Sequence, residues 1–362
     1  MLNKAFLVRQ IQVSTNRMIA SGNGQFLYLN NDGRLFIVGK HALGAGTSYS
    51  SPVACVGNRF YTFTAAPGDT VCGINYSDGI YYAYLSNWWG QFGNNTRNDS
   101  SSPVAAVGGH SFVKVYASAA YGAIYALKSD GTIWSWATNT IGQLGDGTIN
   151  SRSSPISVLG NHLFTEVAPG SQFVLALKSN GQVWAWGDNN AGNLGTNNKT
   201  NYSSPVLVSN HSFTKIAAGN SHSIGIKSDG SVWCWGANGS GQLGNNTKTD
   251  RSTPVSVPVT TRFVEVACSY NTSYALDTSG KLWAWGDNTY GQVGDNTINH
   301  RSLPVLCANT SSFSKICASH YECFAIKSNG EVWCFGRNEY GQLGDGARTS
   351  RSSPVSMLGF PR

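Results

Sequence analysis

At 362 residues the chain exceeds the roughly 250–300 residues at which a single hydrophobic core stops growing, so it must divide into domains or be built from repeats that pack on their neighbours. Charged residues make up 12% of it, against about 25% in an ordinary soluble domain, yet 41% is hydrophobic, with 11 Trp, 16 Tyr and 15 Phe, which excludes a disordered tract. The net charge of +7 is spread thinly with no basic run, so the clustered Lys and Arg of a nucleic-acid footprint are not expected.

Met1–Asn16 (MLNKAFLVRQIQVSTN) has neither a continuous apolar stretch nor a small-residue cleavage site and does not read as a signal peptide. Phe6, Val8, Ile11 and Val13 are mostly on alternating phase, which leaves two readings open: a strand that closes the fold, or an arm that docks it on a larger assembly. No apolar run approaches the ~20 residues needed to span a membrane.

Residues 17–357 read as seven repeats, about 17–57, 58–108, 109–160, 161–210, 211–259, 260–309 and 310–357, with 358–362 as a tail. A Ser-Pro or Ser-x-Pro step followed by Val or Ile recurs at Pro52, Pro103, Pro155, Pro205, Pro254, Pro304 and Pro354, at intervals of 49 to 52 residues. In the same phase a polar turn ends at Gly33, Gly79, Gly131, Gly181, Gly230, Gly280 and Gly330. An aromatic strand follows it: WSWA at Trp134–Ala137, WAWG at Trp184–Gly187, WCWG at Trp233–Gly236, WAWG at Trp283–Gly286 and WCFG at Trp333–Gly336. The first two repeats hold FIVG (Phe36–Gly39) and YAYL (Tyr82–Leu85) there, and a GQLG-type loop comes next, from GQFG at Gly90 to GQLG at Gly341, degraded to GAG at Gly44.

Within the fifth repeat, Lys215–Ala218 predicts an inner strand, His222–Lys227 a second, Asp229-Gly230 a type I′ hairpin turn, Val232–Trp235 a third strand and Pro254–Val257 an outer strand that begins on its proline. Four short antiparallel strands repeated seven times predict an all-β, seven-bladed β-propeller. Trp233 and Trp235 fall on one face and Cys234 on the other, a large-against-small pattern by which neighbouring blades interlock, with the GQLG loop supplying acceptors for the indole N–H groups.

The combination of Ala-Gly-x-x-His-Ser (Ala218 to Ser223), Ser-Asp-Gly, WxWG, GQLG and Pro-Val resembles the regulator of chromosome condensation repeat, over roughly residues 17–357. Its bacterial and phage-borne members, with WAWG and GQLGD followed by RSSPV, are especially similar. The resemblance implies a seven-bladed propeller. The founding eukaryotic member is a nucleotide-exchange factor for a small GTPase that binds chromatin, and its exchange activity depends on an inserted wedge. The even repeat spacing leaves no room for such an insertion here, and the consensus histidine survives only as His222; Gln25, Val71, Ala123, Phe173, Thr272 and Glu322 stand elsewhere. The fold is therefore carried over and the exchange activity is not.

The seven histidines read as falling at unrelated repeat positions, and neither a nucleophile–base set nor a phosphate loop is visible, so no enzyme and no cofactor are expected. Eight cysteines without a CxxC pair argue against zinc, and Cys234 and Cys334, which alternate with Ser135, Ala185 and Ala284, read as small core thiols. Asp146, Asp295 and Asp345 after the GQLG motif are followed six residues later by Arg152, Arg301 and Arg351, which predicts structural ion pairs closing the outer loops of those repeats, the alternative being a ring of Arg residues that binds an anion or a partner; Asn245 with Arg251 is intermediate. Several Asn-x-Ser/Thr sequons, such as those at Asn94, Asn198, Asn210 and Asn245, are expected by chance in an Asn- and Ser-rich chain.

In the second repeat Trp88 and Trp89 stand at loop positions that hold Thr140-Ile141, Asn190-Ala191, Gly239-Ser240, Thr289-Tyr290 and Glu339-Tyr340 elsewhere. With Tyr82, Tyr290 and Tyr340 they make a candidate binding set, since Trp and Tyr dominate binding hot spots; the structural alternative is that the Trp pair plugs a gap in a blade lacking the usual tryptophans. The expected function is a non-enzymatic binding module contacting a protein partner, a larger assembly or a glycan. Low charge and the phage-like repeat style place it on a virion or extracellular surface rather than in the cytoplasm. The alternative is an intracellular scaffold resembling GTPase-exchange or chromatin-binding propellers.

Overall fold

The computed structural model describes residues 78–118, 122–308 and 312–358, and outside these the strand segments 19–22, 25–29, 35–40, 48–54, 60–66 and 70–75. The segment Met1–Asn16, the GAG at Gly44 and Cys55 lie outside the described residues. No helix occurs among the described residues, so none is long and apolar enough to cross a membrane.

The strands form four-stranded antiparallel sheets, each made of four consecutive strands. The first is β1 (Ile19–Gly22), β2 (Gln25–Leu29), β3 (Leu35–Lys40) and β4 (Ser48–Ala54); the second is β5 (Phe60–Ala66), β6 (Thr70–Asn75), β7 (Tyr81–Leu85) and β8 (Ser100–Ala105). The third is β9 (Lys114–Ala117), β10 (Ile124–Leu127), β11 (Ile133–Ala137) and β12 (Arg152–Ser157); the fourth is β13 (Glu166–Pro169), β14 (Phe173–Leu177), β15 (Gln182–Gly187) and β16 (Tyr202–Ser212). The fifth is β17 (Lys215–Ala218), β18 (His222–Ile226), β19 (Val232–Gly236) and β20 (Arg251–Ser256). The sixth is β21 (Phe263–Cys268), β22 (Thr272–Asp277), β23 (Leu282–Gly286) and β24 (Arg301–Leu306), and the seventh β25 (Phe313–Ser319), β26 (Glu322–Lys327), β27 (Val332–Gly336) and β28 (Arg351–Ser356). The first strand of each sheet lies against the first strand of the next, and β25 lies against β1.

Two local expectations need correction. At Asp229-Gly230 only Gly230 has a positive φ, +79°, while its N–H bonds the Lys227 carbonyl at 2.9 Å. A type I′ turn needs positive φ at both central residues, so this is a type I turn closed by a glycine bulge, held by Asp229 accepting from the Ser231 N–H. The outer strand β20 begins at Arg251, three residues before Pro254. The proline is tolerated inside the strand because β20 is the sheet edge.

The aromatic strand explains how sheets join. Trp136, Trp186, Trp235 and Trp285 are fully buried, and each indole N–H crosses to the preceding sheet's loop, bonding the carbonyls of Gln91, Gln143, Asn193 and Gln242 at 2.9 Å. The core fills the space between sheets: Ile224 and Cys234 of the fifth pack with Ala275 and Trp285 of the sixth. Small residues on one face receive the neighbour's indole, as the sequence pattern requires. Cys234, Cys268, Cys307, Cys323 and Cys334 are buried free thiols.

After the second aromatic the ladder between third and fourth strands slips, for instance between Cys234 and Gly236. The residue at the slip has positive φ: +98° at Gly187, +100° at Gly236, +110° at Gly286 and +105° at Gly336. In the third sheet Ala137 occupies this place at +77°.

The first tryptophan of each pair behaves differently. Trp134, Trp184 and Trp233 are half-buried and covered by His110, His162 and His211, with ring centroids 4.0, 3.9 and 4.7 Å apart. Lys128, Lys178 and Lys227 sit over the same indoles at 4.5, 4.9 and 3.5 Å and approach the histidine Nδ1 atoms at 3.4, 3.2 and 3.2 Å. Three histidines therefore share one repeat position, in a His-x-Phe step, contrary to the expectation that they are unrelated. Burial, then the adjacent ammonium, lowers each of their pKa values.

Candidate functional site

Antiparallel connectivity divides the loops between two rims. One rim carries the first-to-second and third-to-fourth connections of every sheet; the other carries the second-to-third hairpins. The third-to-fourth connection is the GQLG loop, and it is rigid for a reason that repeats. A buried asparagine precedes it: Asn139 accepts the Leu144 N–H at 2.9 Å, and its amide donates to the carbonyls of Thr148 and Asn150, both at 3.1 Å. Asn87, Asn189, Asn238, Asn288 and Asn338 accept from the corresponding residues in the same way. The motif glutamine then accepts the backbone N–H two residues before it, at Trp89, Ile141, Ser240, Tyr290 and Tyr340. The backbone is thus fixed while the side chains at those two loop positions are left to point elsewhere.

The predicted ion pairs lie in this framework. Arg152 donates to Asp146 at 2.9 Å, Arg301 to Asp295 at 2.6 Å and Arg351 to Asp345 at 2.6 Å. Burial pushes these carboxyls up, but hydrogen bonds from Thr148 and Arg152, Thr297 and Arg301, and Arg351 and Ala347 outweigh it and hold them below the usual carboxylate range. Where Asn245 replaces the acid, the Arg251 Nε is buried with no hydrogen-bond partner among the described residues. The sequon residues Asn94, Asn198 and Asn245 take a similar local part, since they accept the N–H groups of Thr96, Thr200 and Thr247.

The candidate binding residues separate into groups. Trp88 and Trp89 lie in the GQLG loop of the second sheet, 71% and 37% exposed, with Trp89 resting over Gly122 of the third. They do not plug the core, because Tyr84 takes the buried aromatic place in that sheet. Tyr82 is directed to the opposite rim, its hydroxyl donating to Asp78 at 3.1 Å. Tyr290 and Tyr340 stand on the same rim as the Trp pair, in the sixth and seventh sheets, and are brought together by a residue the sequence reading passed over. The Arg337 guanidinium lies 5.3 Å from the Tyr290 ring, 5.7 Å from Tyr340 and 5.9 Å from Tyr321. Tyr321 also packs on Tyr290 at 5.1 Å and on Tyr270 at 5.5 Å.

Beneath this cluster the Glu322 carboxyl is buried, accepting from Gln342 at 2.8 Å, and burial pushes its pKa up to about 7. Arg337 was detectable by aligning the residue after the aromatic strand, where Lys40, Ser86, Thr138, Asp188, Ala237 and Asp287 occupy the other repeats. Tyr321 and Tyr270 carried no such signal, because the first-to-second connections share no motif.

Another charge pattern escaped the sequence reading. Lys114, Glu166, Lys215, Glu265 and Lys315 occupy one position on the innermost strands β9, β13, β17, β21 and β25, two residues after a buried Phe. The signs alternate around five consecutive sheets. Burial raises the pKa values of Glu166 and Glu265, and the flanking lysines oppose that shift. Among the described residues no group of three or more His, Cys, Asp or Glu could hold a metal ion.

His222 is structural. The Ser273 hydroxyl donates to the Gln242 carbonyl at 2.8 Å, so its oxygen, 2.9 Å from His222 Nε2, accepts the imidazole proton. Nδ1 is buried without a hydrogen-bond partner, and burial lowers the pKa to about 3.

The sequence profile of the RCC1-like domain matches residues 80–362. The chain belongs to the RCC1-like domain family. Solved structures agree with this RCC1-like fold. Prp20p from Saccharomyces cerevisiae superposes with a TM-score of 0.78 at 20% identity, covering 92% of this chain and 88% of that one. Human WBSCR16 gives 0.76 at 18% identity over 89% of each chain. The CRINKLY WD40 ectodomain of the Arabidopsis thaliana receptor kinase ACR4 gives 0.56 at 17% identity, covering 89% and 95%. At such identities the likeness concerns the fold. The all-β architecture of four-stranded antiparallel sheets expected from the repeats is the one found.

Proposed function

We propose that this RCC1-like chain is a seven-bladed, non-enzymatic module that binds a protein partner through the rim carrying the GQLG loops. The blade count is supported by the seven intervals of the sequence repeat and by the contact of β25 with β1, which fits one closed ring. The observation that carries the function is the concentration of exposed aromatics on one rim. Trp88, Trp89 and Tyr340 project from loops whose backbones are held by the recurring Asn and Gln bonds, and an exposed indole has no folding reason to be there. The fold is compatible with this reading, since the structure of Prp20p is described with its binding to Gsp1p and histones. The even repeat spacing argues against a wedge-like insertion and so against nucleotide exchange. A virion or extracellular setting and a glycan partner rest on composition and on the Trp pair alone, and the protein reading is preferred.

The test is comparative affinity capture with the full chain, alongside a glycan array. A Trp88→Ser, Trp89→Ser double variant should lose partners that the wild type retains, whereas Lys178→Ala on the opposite rim should keep them. Equal capture by all three chains would refute the rim assignment, and array binding lost only in the Trp variant would favour a glycan.

A further inference from the structure

We infer that the Arg337 cluster is a receptor for a carboxylate side chain from an acidic peptide segment of the partner, and that Glu339 occupies it in the unbound protein. This rests on the reading of the GQLG rim as the binding face and specifies its chemistry. Arg337 is the only arginine at its repeat position, where Lys40, Ser86, Thr138, Asp188, Ala237 and Asp287 stand, and so the only residue there with a planar fork of donors. Its guanidinium is held among the rings of Tyr290, Tyr321 and Tyr340, each under 6 Å away, and these ring faces take none of its N–H donors as a carboxylate would. Nε is buried and has no hydrogen-bond partner among the described residues. The terminal nitrogen Nη2 is met by Glu339 Oε2 at 2.5 Å.

That contact shows which ligand chemistry the fork takes. Glu339 is two residues away in the same loop, its side chain is half exposed, and it engages one terminal nitrogen rather than the two parallel donors a planar carboxylate can span. Its loop position holds Trp88, Thr140, Asn190, Gly239 and Thr289 in other repeats, so the loop does not require an acid there. Release of Glu339 to solvent costs little, because an exposed pair of this kind is worth little. An incoming carboxylate can then reach Nη2 and, with a small rotation of the side chain, Nε as well. The rim tyrosines add hydroxyl donors and flat apolar faces on either side, and the net charge of +7 assists the approach of an acidic chain.

The experiment uses fluorescence polarisation with a fluorescein-labelled alternating Glu-Gly peptide and its Gln-Gly counterpart, on the full chain at low salt. Wild type should bind the acidic peptide and not the neutral one. Arg337→Gln and Arg337→Lys should each weaken binding about tenfold or more, the lysine because it keeps the charge but loses the stacked fork. Glu339→Gln should tighten binding about threefold or more, which a variant that merely damages the loop would not do. Unchanged affinity in Arg337→Gln, or unchanged or weaker affinity in Glu339→Gln, overturns the proposal. The Trp88→Ser, Trp89→Ser variant separates this outcome from the broader reading. If that variant loses its partner while wild type ignores the peptide, the rim assignment stands and the carboxylate receptor falls. If the peptide binds as described while partner capture is indifferent to the Trp pair, the receptor stands.

Discussion

Ala137 shows how strictly one position is set by backbone geometry. It stands where Gly187, Gly236, Gly286 and Gly336 adopt φ near +100°, and it is held at +77°. A left-handed conformation costs an L-residue about 1–2 kcal/mol, while glycine costs ~0.5–1 kcal/mol in unfolded-chain entropy. Ala137→Gly is therefore expected to stabilise the protein by about 0.5–1 kcal/mol, read as a higher denaturant midpoint at unchanged slope. His222 makes a second residue-level prediction. Its folded pKa of about 3 lies below the ordinary 6.5, so the unfolded chain takes up the proton first and stability falls as pH drops from 6.5 toward 3. By linkage the loss amounts to about 2 kcal/mol at pH 5. His222→Gln, which borrows the residue found at Gln25, should lose less stability than wild type between pH 7 and pH 5; parallel melting curves at the two pH values would refute it.

At the level of elements, the strands, the hairpin positions and the aromatic strand were legible because each depends on residues within a few positions of one another, whereas the turn type and the slip after the second aromatic were not. Alternation placed Trp233 and Trp235 on one face, but only the packing distinguishes the buried Trp235 from the Lys-covered Trp233. The Asp–Arg spacing was visible for the same local reason. The Arg337 cluster was not, since its tyrosines come from two sheets and from connections without a shared motif. Nor were the alternating charges of Lys114, Glu166, Lys215, Glu265 and Lys315, whose meaning depends on the first strands meeting their neighbours. Lys215 lies between Glu166 and Glu265 in that series. Lys215→Glu should destabilise the chain by about 1–2 kcal/mol, with the deficit shrinking as salt is added, because the repulsion is partly screened. A deficit independent of salt would mean that packing, not charge, is at fault.

For the whole molecule, the same asparagine, glutamine and tryptophan bonds recur from sheet to sheet, and the proposed binding role falls to the few loop side chains that depart from the pattern. Repetition made the fold readable from sequence. Departures such as Trp88, Trp89 and Arg337 stand out only against it. The claim that the GQLG rim is the binding face is tested most directly by hydrogen–deuterium exchange of the full chain, free and bound to the partner recovered by capture. Protection is predicted in the loops spanning 86–99, 287–300 and 337–350. Protection confined to the opposite-rim hairpins around Gly131, Gly181, Gly230, Gly280 and Gly330 would contradict it.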